Sequence, residues 1–224
     1  MSTIGLIGGT GDLGSALAVH LARDNRVLLG SRSVDKAKAT VDEIRKEKIN
    51  KDYLISNLAY AENSNVVSES DLLILTVPHA NAIETISDLF SKFRGNQLLI
   101  SAVASVTKKG DDFIVDDSTA FKGSFAATIQ DIVPKSVKVA AAFQTIPANV
   151  LYREKEISAD VPVTADSREV YQAVASIISS IYGLRPLYLG SLQLSGEIER
   201  LTAFLLNISK RNGLKSPTLK FPSF

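Results

Sequence analysis

The run Ile4-Gly5-Leu6-Ile7-Gly8-Gly9-Thr10-Gly11-Asp12-Leu13-Gly14 decides the fold. Apolar residues break into glycines and then into an apolar-periodic segment from Ser15, which reads as strand, tight turn and helix. Gly9, Gly11 and Gly14 fit G-x-G-x-x-G: the first glycine permits the turn, the second lets backbone approach a pyrophosphate, and the third lets helix pack closely on strand. Phosphates then sit on free N–H groups at the helix start, where the macrodipole favours negative charge. Glycine-rich turns also serve plain packing, so the next strand has to decide. Arg26-Val27-Leu28-Leu29 runs into Gly30-Ser31-Arg32, about 20 residues after the glycines, where Asp or Glu would hold a free ribose 2′-hydroxyl. A carboxylate repels a 2′-phosphate, whereas the Ser31 hydroxyl and Arg32 guanidinium supply donors and charge to it. The pair points to NADP(H), with Gly9, Thr10, Gly11, Asp12, Leu13, Ser31 and Arg32 as cofactor-binding candidates.

Beyond this unit the strand and helix rhythm continues. A charged helix is expected over 34–48, a third strand over 53–58 and a polar connection from there to Ser70. The buried strand 71–77 ends at Pro78-His79, a helix covers 81–92, and a further strand covers 97–101. Residues 107–119 read as a loop, 124–132 as a helix and 137–143 as a strand. After a strand at 161–164, a helix over 167–182 and a strand at 184–189, the last helix spans 192–211 with Gly213 as its C-cap. Pro162 and Pro186 point to sheet edges or strand starts. The alternation is that of an α/β, Rossmann-type doubly wound, mainly parallel sheet with a small C-terminal α/β and helical extension.

The 224 residues suffice for one large core. A formal net charge of +1, from 25 basic and 24 acidic residues, offers no field for nucleic acid or acidic lipid. The absence of Cys rules out disulfides, thiolate nucleophiles and Cys-ligated metals. No signal-peptide pattern or membrane-length apolar run is seen, so a soluble cytoplasmic protein is expected. The two histidines, His20 and His79, form no metal-binding pair, and no metal is expected. No Tyr is followed four residues later by Lys; Tyr152 has Lys155, one short. With no acid–base pair in view, no catalytic side chain is assigned, and hydride transfer between stacked rings fits, since it needs orientation and exclusion of water more than a proton shuttle. Ligands of an open parallel sheet bind beyond the carboxyl ends of its strands. That adds Val77, Pro78, His79 and Val103 as cofactor contacts and Gln144, Ile146 and Pro147 as second-substrate contacts. The apolar stripe Ile198, Leu201, Leu205 and Ile208 has no later element to cover it, and a homodimer is expected.

The chain resembles the NADP-dependent oxidoreductases of the deazaflavin coenzyme F420 over nearly its whole length. The likeness lies in Leu6 to Gly14, Gly30-Ser31-Arg32 with Lys36-Ala37, Leu75-Thr76-Val77-Pro78 with Ala82-Ile83-Glu84-Thr85, and Thr145-Ile146-Pro147-Ala148. It continues in Asp160-Val161-Pro162-Val163, Gly183-Leu184-Arg185-Pro186-Leu187, Glu199 with Leu201-Thr202, and Leu206-Asn207-Ile208. The resemblance implies an NADP-binding Rossmann domain, here residues 1–148, and a smaller C-terminal part, residues 149–224, that completes the cleft. It implies NADP(H) on the glycine turn, contacted by Thr10, Ser31 and Arg32, and coenzyme F420 against the nicotinamide. Family members carry His before Thr-Ile-Pro near the deazaflavin, whereas this chain has Gln144, and residues 191–196 also depart from the family pattern. Two alternatives stand beside F420 reduction: an NADPH-dependent reductase of a flavin, imine or other small acceptor, and a non-catalytic NADP(H) redox sensor.

Overall fold

Along the first strand, β1 (Thr3–Ile7), Ile4 and Leu6 enter one apolar core and Ile7 enters another, because successive strand residues point to opposite faces. β4 (Leu72–Leu75) divides in the same way, Leu72 and Ile74 to one side and Leu73 and Leu75 to the other. Both faces of the sheet are covered, which is why these strands are continuous apolar runs. The computed structural model describes residues 3–48, 55–116, 123–153 and 157–222. Between and after these two strands come α1 (Asp12–Leu21), β2 (Arg26–Ser31), α2 (Val34–Lys48), β3 (Leu58–Glu62), α3 (Asn63–Glu69), α4 (His79–Asp88) and β5 (Leu98–Ser101). The second half adds β6 (Val106–Lys109), β7 (Asp112–Val115), α5 (Phe125–Ile132), β8 (Lys138–Ala141), α6 (Ala148–Arg153), β9 (Ala159–Ala165), α7 (Arg168–Ser179), β10 (Leu184–Gly190) and α8 (Ser195–Asn212).

Eight strands form one sheet in the order β10-β9-β8-β5-β4-β1-β2-β3. From β3 to β8 every pairing is parallel; β9 runs antiparallel to β8, and β10 pairs parallel to β9. This is the doubly wound α/β arrangement, with α1, α2, α6 and α7 lining one core and α3, α4 and α5 the other. Strand order reverses direction between β1 and β4, so a crevice opens beyond their carboxyl ends.

Several expectations change. The third strand begins at Leu58; the expected span included residues 53 and 54, which lie outside the described residues. β3 is an edge strand whose one large buried apolar side chain is Leu58, so its pattern is faint. The supposed polar connection holds most of β3 and all of α3. The loop expected over 107–119 is instead an antiparallel hairpin over 106–115 turning at Gly110, whose φ is 61°; residues 117–119 lie outside the described residues. α6 was not anticipated, being six residues long. Pro162 is not on an edge: β9 lies between β8 and β10. The Ala159 N–H bonds to Gly183 before β10, while the Asp160 N–H turns the opposite way to Leu219 of the C-terminal tail (2.8 Å). By alternation the place of the missing Pro162 N–H also faces away from β10, on a flank where β8 pairs with Thr164 and Ala165 alone.

Candidate functional site

The glycine turn is built from β1 outward. Gly8, rather than Gly9, takes the left-handed conformation (φ 72°). Its N–H donates to the Asn63 side-chain oxygen (3.1 Å), and the Gly11 N–H donates back to Gly8 O (3.2 Å). Gly14 is needed for close approach, since a Cβ there would lie 2.5 Å from Gly9 Cα. Gly11 is different. A Cβ on it would meet nothing closer than Gly8 O at 3.7 Å, so no packing demand explains the glycine, and the space it leaves opens onto a cleft. Gly11 is also the N-cap of α1 and caps with no side chain, leaving the N–H groups of Asp12, Leu13 and Gly14 without intrahelical acceptors. Open space in front of unsatisfied donors at a positive helix end fits a pyrophosphate.

The cleft, about 670 Å³ in volume, takes Thr10, Gly11 and Asp12 from the first turn and Ser31, Arg32, Ser33 and Lys36 from the junction of β2 and α2. Asn63, Thr76, Val77, Pro78, Asn81 and Thr85 close its other side. Ser31 is buried and its hydroxyl accepts from the Ser33 N–H (3.3 Å), whereas Arg32 and Lys36 are exposed. Among the described residues neither cation makes a salt bridge. Two positive groups without a salt bridge among the described residues thus stand four residues apart across the junction of β2 and α2, suited to a dianionic phosphate.

Of the expected cofactor contacts, Thr10, Gly11, Asp12, Ser31, Arg32, Val77 and Pro78 line this cleft. Gly9 and Leu13 lie beneath it, Gly9 against Leu6 and Leu29 and Leu13 on the core. His79 does not line it; its ring stands edge-on to Phe125, 6.2 Å between centroids. Val103 is buried beyond the end of β5. Sequence reading missed Asn63, Thr76, Asn81 and Thr85; Asn63 was hidden in the segment taken for a connection. Lys36 carried a usable signal, its spacing of four from Arg32.

Gln144, Ile146 and Pro147 line a second, smaller groove of about 280 Å³ with Asn149, Thr202, Leu205 and Leu206. Phe143, buried, takes φ 76° and turns the chain there, at a cost of roughly 1–3 kcal/mol for a non-glycine residue. Gln144 Nε2 donates to Ser101 O (3.1 Å), and the Thr202 hydroxyl donates to Gln144 O (3.2 Å). Gln144 Oε1 and the Thr145 hydroxyl are buried without a protein partner among the described residues. Ser216 and Pro217 of the tail complete the wall, and the Asn149 amide and Ser216 hydroxyl exchange hydrogen bonds of 2.8 and 3.0 Å. A depression between α1, α2 and α6 shares Thr10 and Asp12 with the cleft and Asn149 with the groove, so the three adjoin.

The other ionisable groups nearby are structural. His20 is buried, donates from Nε2 to Leu151 O (2.6 Å), and is pushed below the usual imidazole range by that burial. Tyr152 donates to a Glu47 carboxylate oxygen (2.6 Å), and burial, reinforced by Glu47, raises its phenol well above the ordinary value. Lys155, whose spacing from Tyr152 is one short of the acid–base pattern, lies outside the described residues. Glu199 of α8 is buried and accepts from the N–H groups of Ser105 (3.2 Å) and Phe125 (2.8 Å); desolvation pushes its carboxyl up against the opposing pull of those bonds. Among the described residues no three His, Cys, Asp or Glu side chains gather to hold a metal, and no helix is long and apolar enough to cross a membrane.

Residues 3–105 match the family described as NADP oxidoreductase, coenzyme F420-dependent. The chain is 29% identical to an F420-dependent NADP reductase of Methanocaldococcus jannaschii, across 97% of this chain and 99% of that one. It is 27% identical to the reductase of the same name from Methanothermobacter thermautotrophicus, across 97% and 93%. A crystal structure from Arthrobacter sp. FB24, assigned as an F420-dependent NADP reductase, superposes over the whole of both chains with a TM-score of 0.81 at 16% identity, a likeness of fold. The chain is thus similar to these F420-dependent NADP reductases from end to end, and the family description matches it from β1 to the turn after β5.

Proposed function

We propose that the protein transfers hydride between NADP(H) and coenzyme F420. The observation that carries the nucleotide half is the pair of unpaired cations, Arg32 and Lys36, standing across the cleft from the open cradle at Gly11. In this reading the first-turn N–H groups of α1 hold the pyrophosphate, Ser31, Arg32 and Lys36 hold the ribose 2′-phosphate, and Val77, Pro78 and Val103 border the path toward the nicotinamide. Similarity to F420-dependent NADP reductases supports the F420 half. The groove of Gln144, Ile146 and Pro147 takes the acceptor ring. Residues 149–224 act as the smaller C-terminal part, because that groove is closed by Asn149, α8 and the tail.

Bound NADPH would supply the hydride, the hydrogen of nicotinamide C4 with its bonding pair, to the acceptor carbon, and the proton that completes the reduced acceptor would come from solvent. The chain's own residues bind, orient and exclude water; no titrating side chain is required at the acceptor, and Gln144 presents none. Gln144 also favours a second reading, reduction of a flavin, imine or other small acceptor, since it stands where F420 reductases of this family carry His. Anaerobic NADPH oxidation assayed in parallel with F420, free flavins and imine or carbonyl acceptors separates the two. Brisk turnover of F420 is expected; flavin reduction with no F420 turnover would replace the first reading by the second.

A further inference from the structure

Glu199 is a buried carboxylate whose two oxygens are divided between two distant segments. Oε2 accepts from Ser105 N–H, just before β6, and Oε1 accepts from Phe125 N–H, at the start of α5. These two amides lie before and after the hairpin in the sequence, and the carboxylate ties both to α8. Eight residues along the same helix, the Asn207 amide grips the hairpin itself, accepting from Phe113 N–H (2.9 Å) and donating to Phe113 O (2.6 Å). The turn between β5 and Ser105 carries Val103, and it lies at the carboxyl end of β5. A dinucleotide held at Arg32 and Gly11 runs from β2 across β1 toward β4 and β5, which brings its nicotinamide end to this turn.

We infer that Glu199 is a positioning residue: by tying Ser105 and Phe125 to α8 it sets the place of the Val103 turn against the nicotinamide end of the bound nucleotide. The inference rests on the NADP(H) reading of the cleft. Two N–H donors require two acceptor oxygens, which a carboxylate has and a primary amide lacks. Glu199→Gln keeps size and one acceptor but sets an NH₂ group against one backbone N–H, stranding it.

The test compares NADPH with 2′-phospho-ADP-ribose, which keeps the phosphates and lacks the nicotinamide. In Glu199→Gln the Kd for NADPH should rise about tenfold, the scale of one stranded buried donor, while that for 2′-phospho-ADP-ribose moves less than about twofold. Ser195→Ala serves as control, because it removes another α8 contact, the 2.6 Å bond between the Ser124 and Ser195 hydroxyls, and should shift both ligands alike. Equal losses for the two ligands in Glu199→Gln would reduce Glu199 to a structural tie. Should that variant not fold, amide exchange in the wild type decides: Ser105 and Phe125 should slow together on adding NADPH and stay unchanged with 2′-phospho-ADP-ribose, and no such difference would overturn the inference. Wild type that binds both nucleotides but does not turn over F420 removes the proposed reaction and leaves this comparison valid; wild type that binds neither removes both.

Discussion

Arg32 is a guanidinium with no acidic partner among the described residues, standing beside a buried serine. A charge-assisted bond to a phosphate is worth roughly 1.5–3 kcal/mol. Arg32→Ala should lose about that much NADPH affinity and little NADH affinity by fluorescence titration; equal losses would show that selectivity lies elsewhere. Gln144 poses a different question. Its Nε2 is committed to Ser101 O and its backbone carbonyl to Thr202, so nothing at this position titrates near neutrality. Hydride transfer by the wild type should therefore vary little between about pH 5.5 and 7.5, where imidazole titrates. Gln144→His should introduce a single-proton step, displaced toward the acid side by burial, while NADPH binding persists; a steep step in the wild type would contradict this. Arg32 was legible because glycine spacing fixes where a strand end must fall. Gly8 was not, because Gly8-Gly9 offers two glycines for one left-handed turn and only the backbone chooses between them.

Among the elements, the long apolar-periodic ones were legible and the short ones were not, for a physical reason that the hairpin shows. Lys108, Lys109, Asp111 and Asp112 give β6 and β7 no apolar stripe, and what orders them comes from α8 at the far end of the sequence. Asn207 bonds Phe113 twice, Lys210 pairs with Asp111 (2.7 Å) and Arg211 with Asp112. Likewise α6 is fixed by His20 of α1 at the Leu151 carbonyl and by Lys48 of α2 at the Tyr152 carbonyl, contacts no local window contains. Asn207→Ala should strand the N–H and C=O of Phe113 and weaken the hairpin by about 1–3 kcal/mol. Amide exchange should quicken across residues 106–115 with β1 and β4 unaffected; uniform quickening would mean the hairpin is no separate unit. The tail is clamped in a comparable way. Arg185 makes two 2.7 Å bonds to Asp160 and one to Phe221 O (2.6 Å), and the bond from Arg185 holds the Asp160 carboxyl below its ordinary 3.8. A lowered carboxyl stabilises the fold fully above the unfolded value and loses that contribution as pH falls through the lowered one. Tail release, followed by amide exchange at Phe221, whose N–H donates to Asp160, should thus appear only below about pH 3.8 in the wild type, and already at neutral pH in Asp160→Asn; a protected Phe221 amide in that variant would show the clamp is not what holds the tail.

For the whole molecule, the sheet is unequal at its two ends. β3 ends it beside the cleft of Thr10, Arg32 and Lys36, while β10 ends it beside α8 and the tail, where a groove of about 320 Å³ is lined by Pro162, Leu187, Leu189, Ile198, Leu201 and Phe221. Around it Leu189, Leu194 and Phe221 are 44%, 42% and 51% exposed. The stripe expected on the last helix is only partly covered: Ile198 is buried, and Leu201, Leu205 and Ile208 are half-buried. A contiguous apolar area of this kind, lying on an open strand edge, is unfavourable in water and is relieved by self-association. A two-fold axis through the patch would use each residue twice, once from each copy. Burying one leucine is worth about 1.5–3 kcal/mol, so removing Leu189 from both sides should cost twice that, a loss large enough to dissociate a micromolar dimer. Light scattering at micromolar concentration should give twice the 24.1 kDa chain mass for the wild type and the single chain mass for Leu189→Glu, with NADPH affinity retained because Leu189 of β10 lines no part of the cleft at the ends of β1, β2 and β4. A wild type of single-chain mass would leave the patch without a second copy. A Leu189→Glu variant that stays dimeric would move the interface to another face.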